Sequence, residues 1–334
     1  MKTIHSCAMV GFLCLFGWMV QGLSAAQETG GRPPDAGPAA AAVGSGPYKV
    51  VMEMDPSLPG HTIYRPEDLS GLNGTSLPIV AWGNGACANA GNFFAPFLTE
   101  IASYGYIVIA LGPIVQLNAA GFPQGSSVQA RPQGSDPAQP PSNLPPPNLP
   151  PPATHSVQLI EAINWALAEN QRAGSKYFQR LDGKKIGVMG QSCGGVQAIE
   201  VAADPRITTV MVWNSGLFPK PTEMAGGKSM SKDDLKSLHT PVAYISGDAQ
   251  DIAFVNAEDD FERITSVPIL RGYERGVGHG GTYRQPNGGE FSGVAVAWLN
   301  WQLKGDQRAS LVFKGANCGL CVNPRWVVRK KNID

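Results

Sequence analysis

A surplus of charge of either sign is the first thing this chain lacks. Lysine plus arginine and aspartate plus glutamate number 26 each, and charged residues make up only 16% of the 334. That balance removes the electrostatic case for a nucleic-acid or anionic-lipid partner, and no run of like charge marks a binding tail. Histidine is scarce, at five residues, with no clustered pair and no His-Glu-x-x-His. An acidic loop of the calcium-binding type is also missing, so no metal is expected. No glycine loop followed by lysine is present to cradle phosphate, and no cofactor is expected either. Long apolar runs are absent: Ala8 to Val20 falls short of the roughly 20 residues that span a bilayer. No internal repeat is visible.

What is there begins with a leader. Lys2 precedes the apolar run, and Ser24-Ala25-Ala26 follows it with small residues. This reads as a signal peptide over residues 1–26, cut after Ala26; a retained membrane anchor is the alternative, which the run's length argues against. Neither Cys7 nor Cys14 sits in a lipoprotein site. The mature chain is then secreted or periplasmic, where thiols oxidise. Cys87, Cys193, Cys318 and Cys321 remain, an even set that suits two disulfides. Asn73-Gly74-Thr75 is a glycosylation sequon only in a eukaryotic source, and otherwise a chance match.

Residues 27–47 are rich in Gly, Ala and Pro and read as a flexible linker. From Tyr48 onward the pattern is one α/β domain, residues 48–334, with a mostly parallel central sheet and helices on both faces. Tyr48–Met54 and His61–Arg65 read as strands, with His61 as a surface strand residue. Pro78–Trp82 and Tyr106–Leu111 are buried strands flanking a helix at Phe93–Tyr104. An insert at about residues 113–152 breaks the alternation, with a proline-rich run from Pro140 to Pro152. That run reads as an inserted surface loop bordering the rim of the site, or as a ligand for a proline-binding module. A helix over Ser156–Arg172 follows, with His155 at its start, and His239 reads as a connector. Later strands fall at Ile207–Trp213, Pro241–Ser246 and, as the last, Val267–Tyr273; helices fall at Ala253–Ile264 and Phe291–Leu303.

Between these lies the stretch that carries chemistry. Ile186–Met189 is an apolar strand, Gly190-Gln191-Ser192-Cys193-Gly194 is a G-x-S-x-G turn, and a helical pattern follows from Gly195. Strand, sharp turn and helix are the context of a nucleophile elbow, which strains the central serine and lifts its hydroxyl clear of the sheet. An ordinary glycine-rich turn is the plain alternative. A serine hydroxyl needs a base, and histidine suits because it titrates near neutrality. His279, in a glycine-rich loop after the last strand, is the candidate, and Asp251 or Asp248 is the carboxylate that orients it. The order serine, acid, histidine is the one this fold uses.

With these residues in hand, Tyr48 to Gly305 resembles the α/β-hydrolase superfamily. It is most similar to secreted cutinase-like and polyester-hydrolase-like enzymes and to dienelactone-hydrolase-like ones. Gly83-Asn84-Gly85 stands where many members carry an oxyanion loop, and Gly247-Asp248-Ala249-Gln250-Asp251-Ile252-Ala253 is similar to their acid-bearing segment. The resemblance implies Asp251 as the acid, with Asp248 ordering the loop. The chain departs from dienelactone hydrolases in having serine at the elbow, and from cutinase-like enzymes in its insert and its Cys-x-x-Cys tail. The oxyanion donors expected are the N–H of Cys193 and that of Cys87 or Ala86. Cys87 and Cys193 then sit on two converging loops, where they form either a disulfide or two buried thiols. Cys318 and Cys321 pair as a staple of the tail; a redox or zinc role lacks a second pair.

The expected activity is hydrolysis of a small or polymeric carboxylic ester through an acyl-enzyme, by a monomer with no membrane or nucleic-acid partner. An acyltransferase with the same triad, and a non-catalytic binding protein on the same fold, are the competing readings. Trp82, Trp213 and Phe218 line an acyl pocket or else belong to the core.

Overall fold

A strand covered on both faces needs no polar alternation, and Pro78–Trp82, Ile107–Leu111 and Val210–Trp213 have none. The computed structural model describes residues 43–72, 74–119, 121–124, 151–223 and 227–334. It places all three runs inside one nine-stranded sheet. The strands are β1 (Val50–Glu53), β2 (His61–Pro66), β3 (Leu77–Gly83), β4 (Ile107–Leu111), β5 (Leu181–Gln191), β6 (Thr209–Trp213), β7 (Val242–Gly247), β8 (Ile269–Glu274) and β9 (Trp326–Lys331). Across the sheet their order is β1-β2-β4-β3-β5-β6-β7-β8-β9. From β4 to β8 in that order every pairing is parallel; β2 pairs antiparallel with β1 and β4, and β9 with β8.

Parallel neighbours require crossovers. Helices α1 (Ala95–Ser103), α2 (Val157–Gln171), α3 (Cys193–Val201) and α4 (Phe254–Arg263) lie in four of them, and α5 (Gly289–Lys304) follows β8. Pro96 enters α1 in its first turn, where its missing N–H costs nothing, and Gly305 ends α5 at φ 69°. The period of two sends alternate strand residues to opposite faces. Ile79, Ala81, Val188 and Val212 pack with Ile163, Ile199 and Phe261 from α2, α3 and α4. Val80, Trp82, Met189 and Trp213 pack with Phe97, Phe291 and Trp298 from α1 and α5. Each of the valine, isoleucine, methionine and phenylalanine side chains among these, fully buried, contributes about 1.5–3 kcal/mol. Among the described residues no helix is long and apolar enough to cross a membrane.

Three expectations need correction. The strand at Ile269–Glu274 is not the last, because β9 adds an antiparallel edge beyond it, from Glu274↔Trp326 to Ile269↔Lys331. Residues up to 47 are not all linker: the Ser45 N–H donates to Glu100 Oε2 at 2.7 Å, and the Gly46 N–H donates to Ser103 Oγ at 2.9 Å. His61 is buried rather than on the surface, with Nε2 3.0 Å from the Gln158 carbonyl oxygen. The leader at 1–26, the linker to 42, Asn73 and residues 125–150 of the insert lie outside the described residues.

The glycines around the elbow answer to close backbone packing. A Cβ on Gly194 would lie 2.0 Å from the Gly83 carbonyl oxygen, and one on Gly190 would lie 2.1 Å from that of Gly194. Both obstacles are backbone, so neither can swing aside. Gly194→Ala is therefore expected to destabilise the fold by about 3 kcal/mol, the upper end of ordinary overpacking. Its urea midpoint reports the change; a midpoint equal to that of the unsubstituted protein would refute the packing argument.

Candidate active site

In an open α/β sheet the crevice for chemistry lies beyond the carboxyl ends of the strands. The residues singled out in the sequence gather there: Cys87 after β3, Ser192 after β5, Asp251 after β7 and His279 after β8. Ser192 has φ 55° and ψ −118°, a strained conformation for a residue with a Cβ. It is held on both sides: its N–H donates to the Trp213 carbonyl at 2.9 Å, and its own carbonyl accepts from Gly195 N–H at 2.9 Å and from the Ser215 hydroxyl at 2.7 Å.

The hydroxyl, the imidazole and the carboxylate form a row. His279 Nε2 is 2.9 Å from Ser192 Oγ, and His279 Nδ1 is 2.6 Å from Asp251 Oδ1. Asp251 is fully buried. Burial alone pushes its carboxyl up. The attraction and hydrogen bond of His279, with hydrogen bonds from the Ala253 N–H and Asn214, outweigh that and hold it below its ordinary value. Asp251 is thus a carboxylate at neutral pH, and with Nδ1–H committed to it, Nε2 faces the serine as an acceptor.

Asp248 lies apart from this row. Its Oδ2 accepts from Gly276 N–H at 2.7 Å and its Oδ1 from Gln250 N–H at 3.1 Å, so it ties the loop after β7 to the loop after β8. The geometry places Asp251, and not Asp248, against the histidine.

Cys193 opens α3, and its sulfur is bonded to that of Cys87, with Cα atoms 5.2 Å apart. Ala86 and Cys87 both adopt positive φ, 55° and 46°. Two consecutive residues in that region cost about 1 kcal/mol or more each. The loop is held from several sides. Asn84 Nδ2 lies 2.9 Å from the Ala88 carbonyl and 2.6 Å from that of Leu111. The Thr154 N–H donates to the Cys87 carbonyl at 3.0 Å. The tail pair, Cys318 and Cys321, is also bonded.

Trp82 and Trp213 do not line a pocket. Both are fully buried beneath the loops, among Phe94, Phe97, Tyr283 and Phe291. Both side chains point to the α1 and α5 face because of their register in β3 and β6, and no crevice reaches them. Trp82 still serves the site: its indole N–H donates to Asn84 Oδ1 at 3.0 Å and so anchors the loop that carries Cys87. Phe218 is half-buried in the segment after β6.

Three residues absent from the sequence-based set belong to this arrangement. Asn214, at φ 41°, donates from Nδ2 to Asp251 Oδ2 at 2.8 Å, and the Tyr283 hydroxyl donates to Asn214 Oδ1. Gln191 Nε2 donates to the His279 carbonyl at 3.0 Å. The available signal is position: Asn214 is the first polar residue past the β6 run, at the strand end where the acid and the base also emerge.

A buried ion pair steadies that turn from outside. Asp260 Oδ2 accepts from Leu217 N–H at 2.8 Å, while Lys232 Nζ reaches Asp260 Oδ1 at 2.6 Å and Asp259 Oδ2 at 3.1 Å. Burial pushes Asp260 from 3.8 up to about 6, against the attraction of Lys232 and hydrogen bonds from Lys232, Leu217 and Tyr244. A folded value above the unfolded one means the folded state binds this proton more tightly. Its stabilisation is complete below about pH 4 and is lost as pH rises through about 6. Asp260→Asn is expected to flatten this segment of the stability curve and to lower stability by about 3 kcal/mol, since Lys232 loses its nearest partner. Urea melts between pH 4 and 7 read both effects, and an unchanged slope would contradict the assignment.

Among the described residues no group of His, Cys, Asp and Glu is placed to hold a metal ion. The site can perform one kind of step well: proton transfer from a strained, presented hydroxyl to an imidazole fixed by a buried carboxylate. No protein-family model matches this chain, and no curated protein matches it.

Proposed function

We propose that this protein is an exported serine esterase on the α/β-hydrolase fold. The observation that carries the reading is the row Ser192–His279–Asp251, at 2.9 and 2.6 Å. Chain order supports it: nucleophile after β5, acid after β7, base after β8, with a positive-φ serine between strand and helix. Two disulfides are in keeping with an oxidising compartment.

In this mechanism Ser192 Oγ attacks the ester carbonyl carbon while His279 Nε2 takes its proton. The carbonyl oxygen becomes an oxyanion, met by the backbone N–H of Cys193 and by that of Cys87 or Ala86. His279 then gives the proton to the departing alcohol, leaving an acyl-Ser192. Water repeats the sequence in reverse and releases the acid. Asp251 stays ionised throughout and stabilises the imidazolium.

A fluorophosphonate probe tests the nucleophile without knowledge of the substrate. Ser192 is expected to label in the folded protein, and failure to label would remove the reading. A panel of 4-nitrophenyl esters of graded chain length, with an aromatic polyester and a feruloyl ester beside it, then sorts the substrate class. Added alcohol separates hydrolysis from acyl transfer.

The two aspartates give a sharper contrast. Asp251→Asn is expected to lower kcat by about 10⁴-fold, because an amide that donates to Nδ1 turns Nε2–H toward the serine. Asp248→Asn, which touches only loop N–H groups, is expected to change kcat by less than about tenfold, a cost on the scale of one hydrogen bond. The reverse ranking would transfer the orienting role to Asp248.

A further inference from the structure

We propose that Arg284 forms a carboxylate-binding subsite at the same carboxyl end of the strands as Ser192, suited to esters that carry a second, free carboxylate. It rests on the serine-esterase reading. The guanidinium carbon of Arg284 lies 4.0 Å from the ring centroid of Phe122 and 4.7 Å from that of Phe93. Both rings are themselves buried, and the Arg284 side chain reaches solvent. No carboxylate among the described residues pairs with it. Burial against the rings pushes the guanidinium below its ordinary value, with no neighbouring acid to offset this.

A guanidinium carries its N–H donors in its own plane, a fork that fits a carboxylate at two points. The Arg284 guanidinium lies over two rings tilted 55° to each other, and no acceptor for its donors is present among the described residues. The backbone of Phe122 is held: its N–H donates to Asn118 Oδ1 at 3.0 Å and its carbonyl accepts from Asn118 N–H at 2.7 Å. Phe93 stacks edge-on to Phe94 at 4.7 Å.

The position ties this cation to the reacting groups. Arg284 follows Tyr283, whose hydroxyl donates to the Asn214 side chain that holds Asp251. Phe94 reaches to 3.6 Å from the Cβ position of Gly85, at the start of the segment bearing Cys87. Arg284 therefore stands over the same aromatic floor that carries the catalytic loops. A dicarboxylic monoester that acylates Ser192 keeps its second carboxylate free, and the proposed subsite is the one that receives it.

The test uses mono-4-nitrophenyl esters of dicarboxylic acids from succinic to suberic, each beside the neutral 4-nitrophenyl alkanoate of matched length. The ratio of kcat/KM, acidic over neutral, is expected to peak at one diacid length. Arg284→Gln is expected to lower that peak by about 10–100-fold, the worth of a charge-assisted pair, and to leave the neutral series within about twofold. Arg284→Lys retains part of the preference, because an ammonium offers no planar fork. A fall of both series together would make Arg284 a structural latch and overturn the subsite; so would a wild-type ratio with no peak. Adipate in a thermal melt supplies a readout that needs no turnover. A rise in Tm for the wild type that is absent in Arg284→Gln upholds the subsite even if neither ester series is cleaved, and in that case only the esterase reading fails. No rise in either protein, with no ester preference, ends the proposal.

Discussion

Ser192→Ala is expected to lower kcat on any ester substrate by about five to six orders of magnitude, the scale on which loss of one member disables a concerted triad. The fold should tolerate the change. The hydroxyl's hydrogen bond to His279 Nε2 sits in a half-buried position, and the backbone bonds that fix the turn involve Ser192 N–H and carbonyl, which alanine keeps. Alanine keeps the strain as well, since φ 55° with ψ −118° is unfavourable for any residue with a Cβ. Glycine does not. Ser192→Gly should therefore be as inactive as the alanine variant yet more stable than it, by about 1 kcal/mol or more if the strain is relieved. Steady-state kinetics with active-site titration measures the first effect, and paired urea melts the second. An alanine variant that retained more than about a hundredth of wild-type kcat would exclude Ser192 as the nucleophile, because loss of a nucleophile from a concerted triad costs far more than that. A glycine variant no more stable than alanine would mean that the chain relaxes at this turn.

The parts of this site that can be read from sequence are those whose chemistry is local. Gly190, Ser192 and Gly194 declare the elbow because the turn leaves no room for a Cβ two residues to either side of the serine. His279 is legible by elimination, with few histidines and one glycine-rich loop after a strand. Asp251 and Asp248 differ by three positions; the resemblance favours Asp251, and the contacts between loops 28 residues apart in the chain separate their roles. Trp82 and Trp213 mark the limit: a strand-end tryptophan looks the same in sequence whether its face is a crevice or a core. Which it is depends on α1 and α5 closing over that face. β9 is a second limit. Trp326-Val327-Val328 runs into three cations, Arg329-Lys330-Lys331, and the strand exists because β8 offers it an open edge. His61 is a third, since its acceptor on α2 lies 97 residues away.

Removing the bond between Cys87 and Cys193 is expected to have the largest effect on stability and a distinct effect on activity. The two residues are 106 apart in sequence, so the bond closes a long loop. Chain entropy alone gives about 4.7 kcal/mol for a loop of roughly 100 residues, and measured losses of native disulfides fall at about 2–5 kcal/mol. Cys318 and Cys321 are three apart, so their loop entropy is far smaller, and a Cys318→Ser/Cys321→Ser variant serves as the control. The activity argument runs through backbone geometry. Ala86 and Cys87 hold positive φ, a cost of about 1 kcal/mol or more each, and the bond to the head of α3 is one of the ties that keeps them there. A donor that relaxes away from the developing oxyanion forfeits part of the roughly 3 kcal/mol that one such hydrogen bond supplies. Cys87→Ser/Cys193→Ser should therefore lower kcat by about 10–100-fold while changing KM little, since the oxyanion forms only after binding. Reducing the native protein should reproduce both effects, and reoxidation should restore them. A double variant with wild-type kcat but reduced stability would assign the bond to stability alone and leave the loop's other ties, at Asn84 and Thr154, to hold the donor. A variant with neither loss would show that the converging loops need no covalent tie.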